Sequence, residues 1–153
     1  MKTLLVYYSR TDVTKKIAEI IQEKLNCDIE EITDNNRYKG AIGYLKGGMN
    51  AAMRRTSEIN PISKNPSDYD LVIIGTPVWA SNMATPIYTY LMKYNKEIKK
   101  MASFCTCIRG GYDSALENIS EVTGKKPVTT MFLTSKDIEN PQEKINTFIT
   151  NIK

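Results

Sequence analysis

Residues 3–14 read Thr-Leu-Leu-Val-Tyr-Tyr-Ser-Arg-Thr-Asp-Val-Thr. Their first half, Thr3 to Tyr8, is an apolar and aromatic run of strand length. The stretch that follows, Lys15-Lys16-Ile17-Ala18-Glu19-Ile20-Ile21, opens a helix over about 12–25, with Ile17, Ile20, Ile21 and Leu25 on one face at helical spacing. A hydroxyl-rich turn, Ser9 to Thr14, therefore joins a buried strand to a helix N-terminus. The first N–H groups of a helix lack internal partners and its dipole favours an anion there, so this turn is suited to a phosphate. Ser9, Thr11 and Thr14 add three hydroxyls. The turn has no glycine-rich fingerprint and no Gly-Lys-Ser/Thr, which argues against a dinucleotide fold and a P-loop. A cradle of hydroxyls and amides suits a phosphomonoester with little need of metal. Ser, Thr and Asp are also the residues of an ordinary helix cap, so the rest of the chain must decide between the two readings.

The 153 residues suit one domain, 1–153, and 41% hydrophobic content is enough for a core covered on two sides. No apolar run reaches the roughly 18 residues of a membrane span, and the N-terminal pattern is not that of a signal peptide. A cytoplasmic protein is expected. Cys27, Cys105 and Cys107 do not form a disulfide framework, and the absence of histidine excludes a Ser-His-Asp triad and a histidine-containing zinc site. The net charge is +4 and uneven: residues 36–57 contain Arg37, Lys39, Lys46, Arg54 and Arg55 and no acid. Lys93, Lys96, Lys99 and Lys100 form a second cluster. Such runs are either a solvated face or an attractor of anions, a nucleotide or an acidic protein. The modest total and the lack of a groove-reading motif argue against nucleic acid.

Further strands are expected over about 28–32, 71–74, 101–107 and 127–133, and further helices over about 84–95, 113–123 and 141–151. Residues 34–69 are too long for an idle connection; Tyr44 to Arg54 is a candidate helix that Gly47-Gly48 would weaken. Strand–helix alternation with strands apolar on both faces specifies a parallel sheet covered by helices on each side, a three-layer α/β/α fold.

Ligands of such sheets bind past the carboxyl ends of the strands. Three ends share one chemistry here. The first is Ser9-Arg10-Thr11-Asp12-Val13-Thr14. The second is Gly75-Thr76-Pro77-Val78-Trp79-Ala80-Ser81-Asn82, with the single tryptophan on a loop. The third is Thr106-Cys107-Ile108-Arg109-Gly110-Gly111-Tyr112. A flat aromatic ligand carrying one phosphate fits all three. Each piece has a plainer alternative: Trp79 as core, Gly110-Gly111 as a turn, Arg109 in solvent, Cys107 as a small hydrophobe, Arg54 and Arg55 as helix surface.

Tyr7 to Thr14, Gly75 to Trp79 and Gly110-Gly111-Tyr112 together resemble the flavodoxin-like family of short chains, over the whole sequence. The family's phosphate loop commonly carries Gly where Asp12-Val13 stands here; the Asp12 carboxylate is expected to turn outward and cap the first helix. The resemblance implies a five-stranded parallel sheet of order 2-1-3-4-5 and an FMN site. Ser9, Thr11 and Thr14, with the N–H groups of Arg10 to Thr14, would hold the phosphate. Pro77, Val78, Trp79, Ala80 and Ser81 would line one side of the isoalloxazine. Thr106, Cys107, Ile108, Arg109, Gly110, Gly111 and Tyr112 would line the other, where Arg109 would favour the anionic reduced flavin. The function implied is electron transfer with a redox partner protein, as a monomer or weak dimer. The alternatives are an NAD(P)H oxidoreductase acting on a quinone or similar acceptor, with residues 36–57 binding the nucleotide, and a flavin-free binding module.

Overall fold

Apolar segments that alternate with amphipathic helices must bury both faces of the central strands, and the chain does so in one sheet. The computed structural model describes residues 1–35 and 38–153; Arg37 of the basic segment lies outside them. β1 (Thr3–Tyr7), α1 (Val13–Leu25), β2 (Asp28–Glu31) and α2 (Gly40–Ala52) come first. β3 (Leu71–Trp79), β4 (Asn82–Met83), α3 (Thr85–Tyr94) and β5 (Met101–Thr106) follow. The chain ends with α4 (Tyr112–Thr123), β6 (Thr130–Leu133), α5 (Ser135–Glu139) and α6 (Gln142–Ile152). The sheet order is β2-β1-β3-β5-β6, all parallel, with β4 paired antiparallel to β3 alone. Apart from β4, this is the expected 2-1-3-4-5 arrangement of five strands.

Alternate residues of the central strands feed two cores, as the period of two requires. Leu4, Val6, Val72 and Ile74 face Ile87, Tyr90 and Leu91 of α3 and Ile119 of α4. Leu5, Tyr7, Ile73 and Phe104 face Ile17 and Ile21 of α1 and Phe148 of α6.

Besides β4, three elements differ from expectation. β3 does not stop at Gly75-Thr76-Pro77 but continues to Trp79, paired with β5 through Thr76↔Cys105 and Pro77↔Thr106. Proline is tolerated because residues 75 and 77 turn their polar groups the same way: Gly75 O accepts from Tyr8 N at 3.2 Å, and β1 ends before Pro77, so no ladder bond is lost. α2 begins earlier than expected, and its glycines permit it instead of breaking it. A Cβ on Gly47 would sit 2.9 Å from the Trp79 ring, so glycine is what lets the helix lie on that ring. α5 is new; Thr134 and Asp137 form a reciprocal capping box that starts it.

Candidate functional site

The parallel register brings the carboxyl ends of β1, β3, β5 and β6 to one edge, because Tyr7 pairs with Gly75, Pro77 with Thr106, and Thr106 with Leu133. The turn from Ser9 to Asp12 starts there. Its cap is not the expected one: Asp12 sits at the cap position in the left-handed region (φ 63°), its side chain makes no capping bond, and it is exposed. Ser9 caps instead, its Oγ accepting from the Lys15 N–H at 3.2 Å. The N–H groups of Arg10, Thr11, Asp12, Val13 and Thr14 donate to no other described residue. Thr14 is 1% exposed, and its hydroxyl is fixed by Thr106 at 2.8 Å, which ties the start of α1 to the end of β5.

A cavity of about 360 Å³ opens at this edge, within the size range of small-molecule and cofactor sites. Ten of the eighteen residues expected at the site line it: Arg10, Thr11, Val13 and Thr14 at one end, Pro77, Val78 and Trp79 on one wall, and Thr106, Cys107 and Ile108 on another. Tyr44 of α2 and Ser135 and Ile138 of α5 complete it. Tyr44 lies in a segment expected to carry a helix, though the residue itself was not among those named for the site, and the Thr134-x-x-Asp137 signature was the one sequence clue to α5.

The other eight residues lie around the cavity. Ser9 caps α1 and Asp12 is exposed. Ala80 and Ser81, with φ 47° and 59°, form the two-residue turn between β3 and β4. Arg109 and Gly110 are exposed. Gly111 takes φ 80° ahead of α4, with its α-carbon facing Ser81 and Val78 closely enough that a Cβ would meet both at 3.0 Å. Tyr112 stacks on Phe132 of β6, centroids 3.8 Å apart and nearly parallel.

Trp79 is 7% exposed, not displayed on an open loop. Tyr8 and Tyr38 hold it edge-on at centroid distances of 5.5 and 5.1 Å. Those two rings are themselves anchored: Tyr8 Oη donates to Asp34 at 3.2 Å, and Asn50 Nδ2 donates to Tyr38 Oη at 3.2 Å. Burial, then the Asp34 carboxylate, push the Tyr8 phenol well above its ordinary range, so Tyr8 stays neutral and structural. The Arg10 guanidinium lies 4.5 Å over the Tyr44 ring and 5.8 Å from that of Trp79. Its Nε is buried without a hydrogen-bond partner among the described residues. The Cys107 thiol is pushed up by burial, with Asp137 adding to the effect, which keeps it protonated at neutral pH.

Arg54, one candidate for nucleotide contact, is already engaged. Its Nη2 donates to Asn118 at 2.7 Å and Glu121 at 3.1 Å on α4. Asn118 donates to Asn82, which donates to the Ala51 carbonyl, so one network joins the end of α2 to β4 and α4.

A family model described as Flavodoxin matches residues 2–132. The chain belongs to the flavodoxin family. Among solved structures, this flavodoxin-family chain is similar to a flavoprotein of Lactobacillus acidophilus NCFM in complex with FMN: 26% identity, 90% of this chain and 96% of that chain covered, TM-score 0.75. A flavoprotein structure from Bacteroides uniformis ATCC 8492 shares 19% identity over 97% of both chains at TM-score 0.76. Oxidised Flavodoxin 1 of Bacillus cereus shares 19% identity over 98% of both chains at TM-score 0.52. The last two likenesses are in fold. No curated protein matched the chain.

Proposed function

We propose that this flavodoxin-family chain binds FMN at the carboxyl ends of β1, β3 and β5 and serves in electron transfer. The observation that carries the reading is the turn from Arg10 to Thr14: five N–H groups without partners among the described residues, beside a cavity walled by the ends of two further strands. The family and the FMN complex of the Lactobacillus relative support it.

The residues present fit the group. Unused amides and the Thr11 and Thr14 hydroxyls match a phosphate, with the α1 dipole favouring its charge. Arg10, whose Nε is a buried donor with no partner among the described residues, adds a positive charge on the cavity wall. Val78, Trp79, Ile108 and Ile138 supply the apolar surface that a flat ring buries. Bound FMN supplies reversible electron uptake. The chain binds, orients and shields: the Thr14–Thr106 bond holds two strand ends in register, and Trp79, clamped by two tyrosines and by α2, presents a rigid wall. The lining residues include no carboxylate and no histidine, so no side chain of ordinary acid–base strength at neutral pH stands ready to trade protons with a bound group. Arg54, one of the two arginines considered for NAD(P)H, is bonded to Asn118 and Glu121. A cytoplasmic location agrees with this reading, and no helix among the described residues is long and apolar enough to cross a membrane.

The test is reconstitution. Purified protein, freed of excess flavin after FMN is added, is expected to keep a stoichiometric flavin spectrum and to oxidise NADPH no faster than free FMN does. A colourless protein would overturn FMN binding; rapid NADPH turnover with a quinone would replace the carrier by an oxidoreductase.

A further inference from the structure

α2 has its small residues inside and its large ones outside. Gly43, Gly47, Asn50 and Ala51 form its buried face. Ile42, Leu45, Met49 and Met53 project at 83, 72, 53 and 56% exposure, spaced to make one stripe along and just past the helix. Next to the stripe, a cleft of about 330 Å³ runs between α2 and the β3–β4 turn. Tyr44, Val78 and Trp79 line both this cleft and the cavity proposed for FMN. Large apolar side chains left outside, around a hollow that continues a functional site, mark an interaction surface. Two methionines suit such a surface, because the unbranched thioether adapts to what it meets.

We infer that the outer face of α2 and its cleft dock a protein whose contact patch is apolar at the centre and acidic at the rim. Charge selects this occupant. Lys39, Lys46, Arg54 and Arg55 lie along the segment, and no acid stands between Tyr38 and Ser57. Arg54 is bonded to Glu121 and Lys39 lines a separate hollow with Glu31 and Asp34, which leaves Lys46, exposed on α2 next to Leu45, as the cation at the edge of the stripe. A second copy of the chain would bring the same basic rim against this one. A flat lipid surface would leave the cleft unfilled, whereas a protein side chain fits a hollow. A partner seated here stands one residue layer, Trp79 and Tyr44, from the cavity. The inference names the chemistry of the partner in the proposed electron transfer and rests on that reading for the partner's redox role alone; the surface itself needs no flavin.

The test places a photo-cross-linking amino acid at Leu45 in the organism of origin, with Val128, an exposed apolar position before β6, as control. The expected result is an adduct at position 45 and none at 128, with an identifiable acidic protein. That protein, purified, should bind the wild-type chain with affinity that falls as salt rises and drops about tenfold or more in Lys46→Glu and Leu45→Ser. Adducts with a second copy or with lipid, no adduct at 45, or binding indifferent to Lys46→Glu would each overturn it. Both measurements are made with and without added FMN. Docking by protein that takes up no FMN would sink the cofactor reading and leave the surface standing; FMN uptake without an adduct would do the reverse.

Discussion

Thr14 ties the start of α1 to the end of β5 at the cavity proposed for FMN. It is buried at the first turn of α1 and bonded to Thr106 at 2.8 Å, and its own N–H donates to no other described residue. Thr14→Ala should weaken FMN binding by about 1.5–3 kcal/mol, the worth of a hydrogen bond to a charged group. Thr14→Ser should restore most of it, as fluorescence titration would show. A second residue-scale effect concerns strain. Ala80 and Ser81 both take positive φ in the β3–β4 turn, a conformation that costs side-chain-bearing residues roughly 1–2 kcal/mol each and that Asn-Gly adopts readily. Ala80→Asn with Ser81→Gly should therefore raise stability by about 1–2 kcal/mol in urea unfolding. Strain of this kind persists where the surroundings impose it; here Asn82, bonded to Ala51 and Asn118, fixes the exit of the turn.

Among the elements, α2 tests whether glycine is there for closeness or by chance. Gly47→Ala puts a methyl 2.9 Å from the Trp79 ring, and overpacking of that sort costs about 1–3 kcal/mol. Gly48→Ala meets nothing within 4 Å and should stabilise by about 0.5–1 kcal/mol through the unfolded chain. Opposite signs at adjacent positions, read by thermal unfolding, are the expected outcome. α5 is pH-dependent through Asp137, whose carboxyl is held at about 2, below its ordinary 3.8, first by the Thr134 N–H and then by Lys144. A carboxyl lowered on folding stabilises above its unfolded value and loses that contribution as pH falls through the folded one. Asp137→Asn should thus lower the melting temperature at neutral pH, with the difference shrinking between about pH 4 and pH 2. These elements also show what the sequence could disclose. β1, α1, the start of β3, β5, α4 and α6 were legible because their periodicity is strong and their neighbours agree. α5 was not, since five residues carry too little period, and only its capping box betrayed it. The continuation of β3 through Pro77 depends on where β1 ends, which is a tertiary fact. Gly47 read as a helix breaker because a close approach to Trp79 is invisible until the helix is docked.

At the scale of the molecule, strand order converts three separate loops into one site. Residues far apart in the chain meet because β1, β3 and β5 are neighbours in register, and this much followed from the alternation of elements. Which flanking residues face the cavity did not. Tyr112 is drawn away by Phe132, Arg109 is exposed, and Arg10 takes the place of the cation on the wall. The central claim is that the turn from Arg10 to Thr14 holds the phosphate of FMN. Its most direct test is a paired equilibrium titration of the flavin-free protein with FMN and with riboflavin, which differ by that phosphate alone. FMN should bind at least about a hundredfold more tightly, because several charge-assisted bonds are lost with the phosphate. Equal affinities for the two would contradict it.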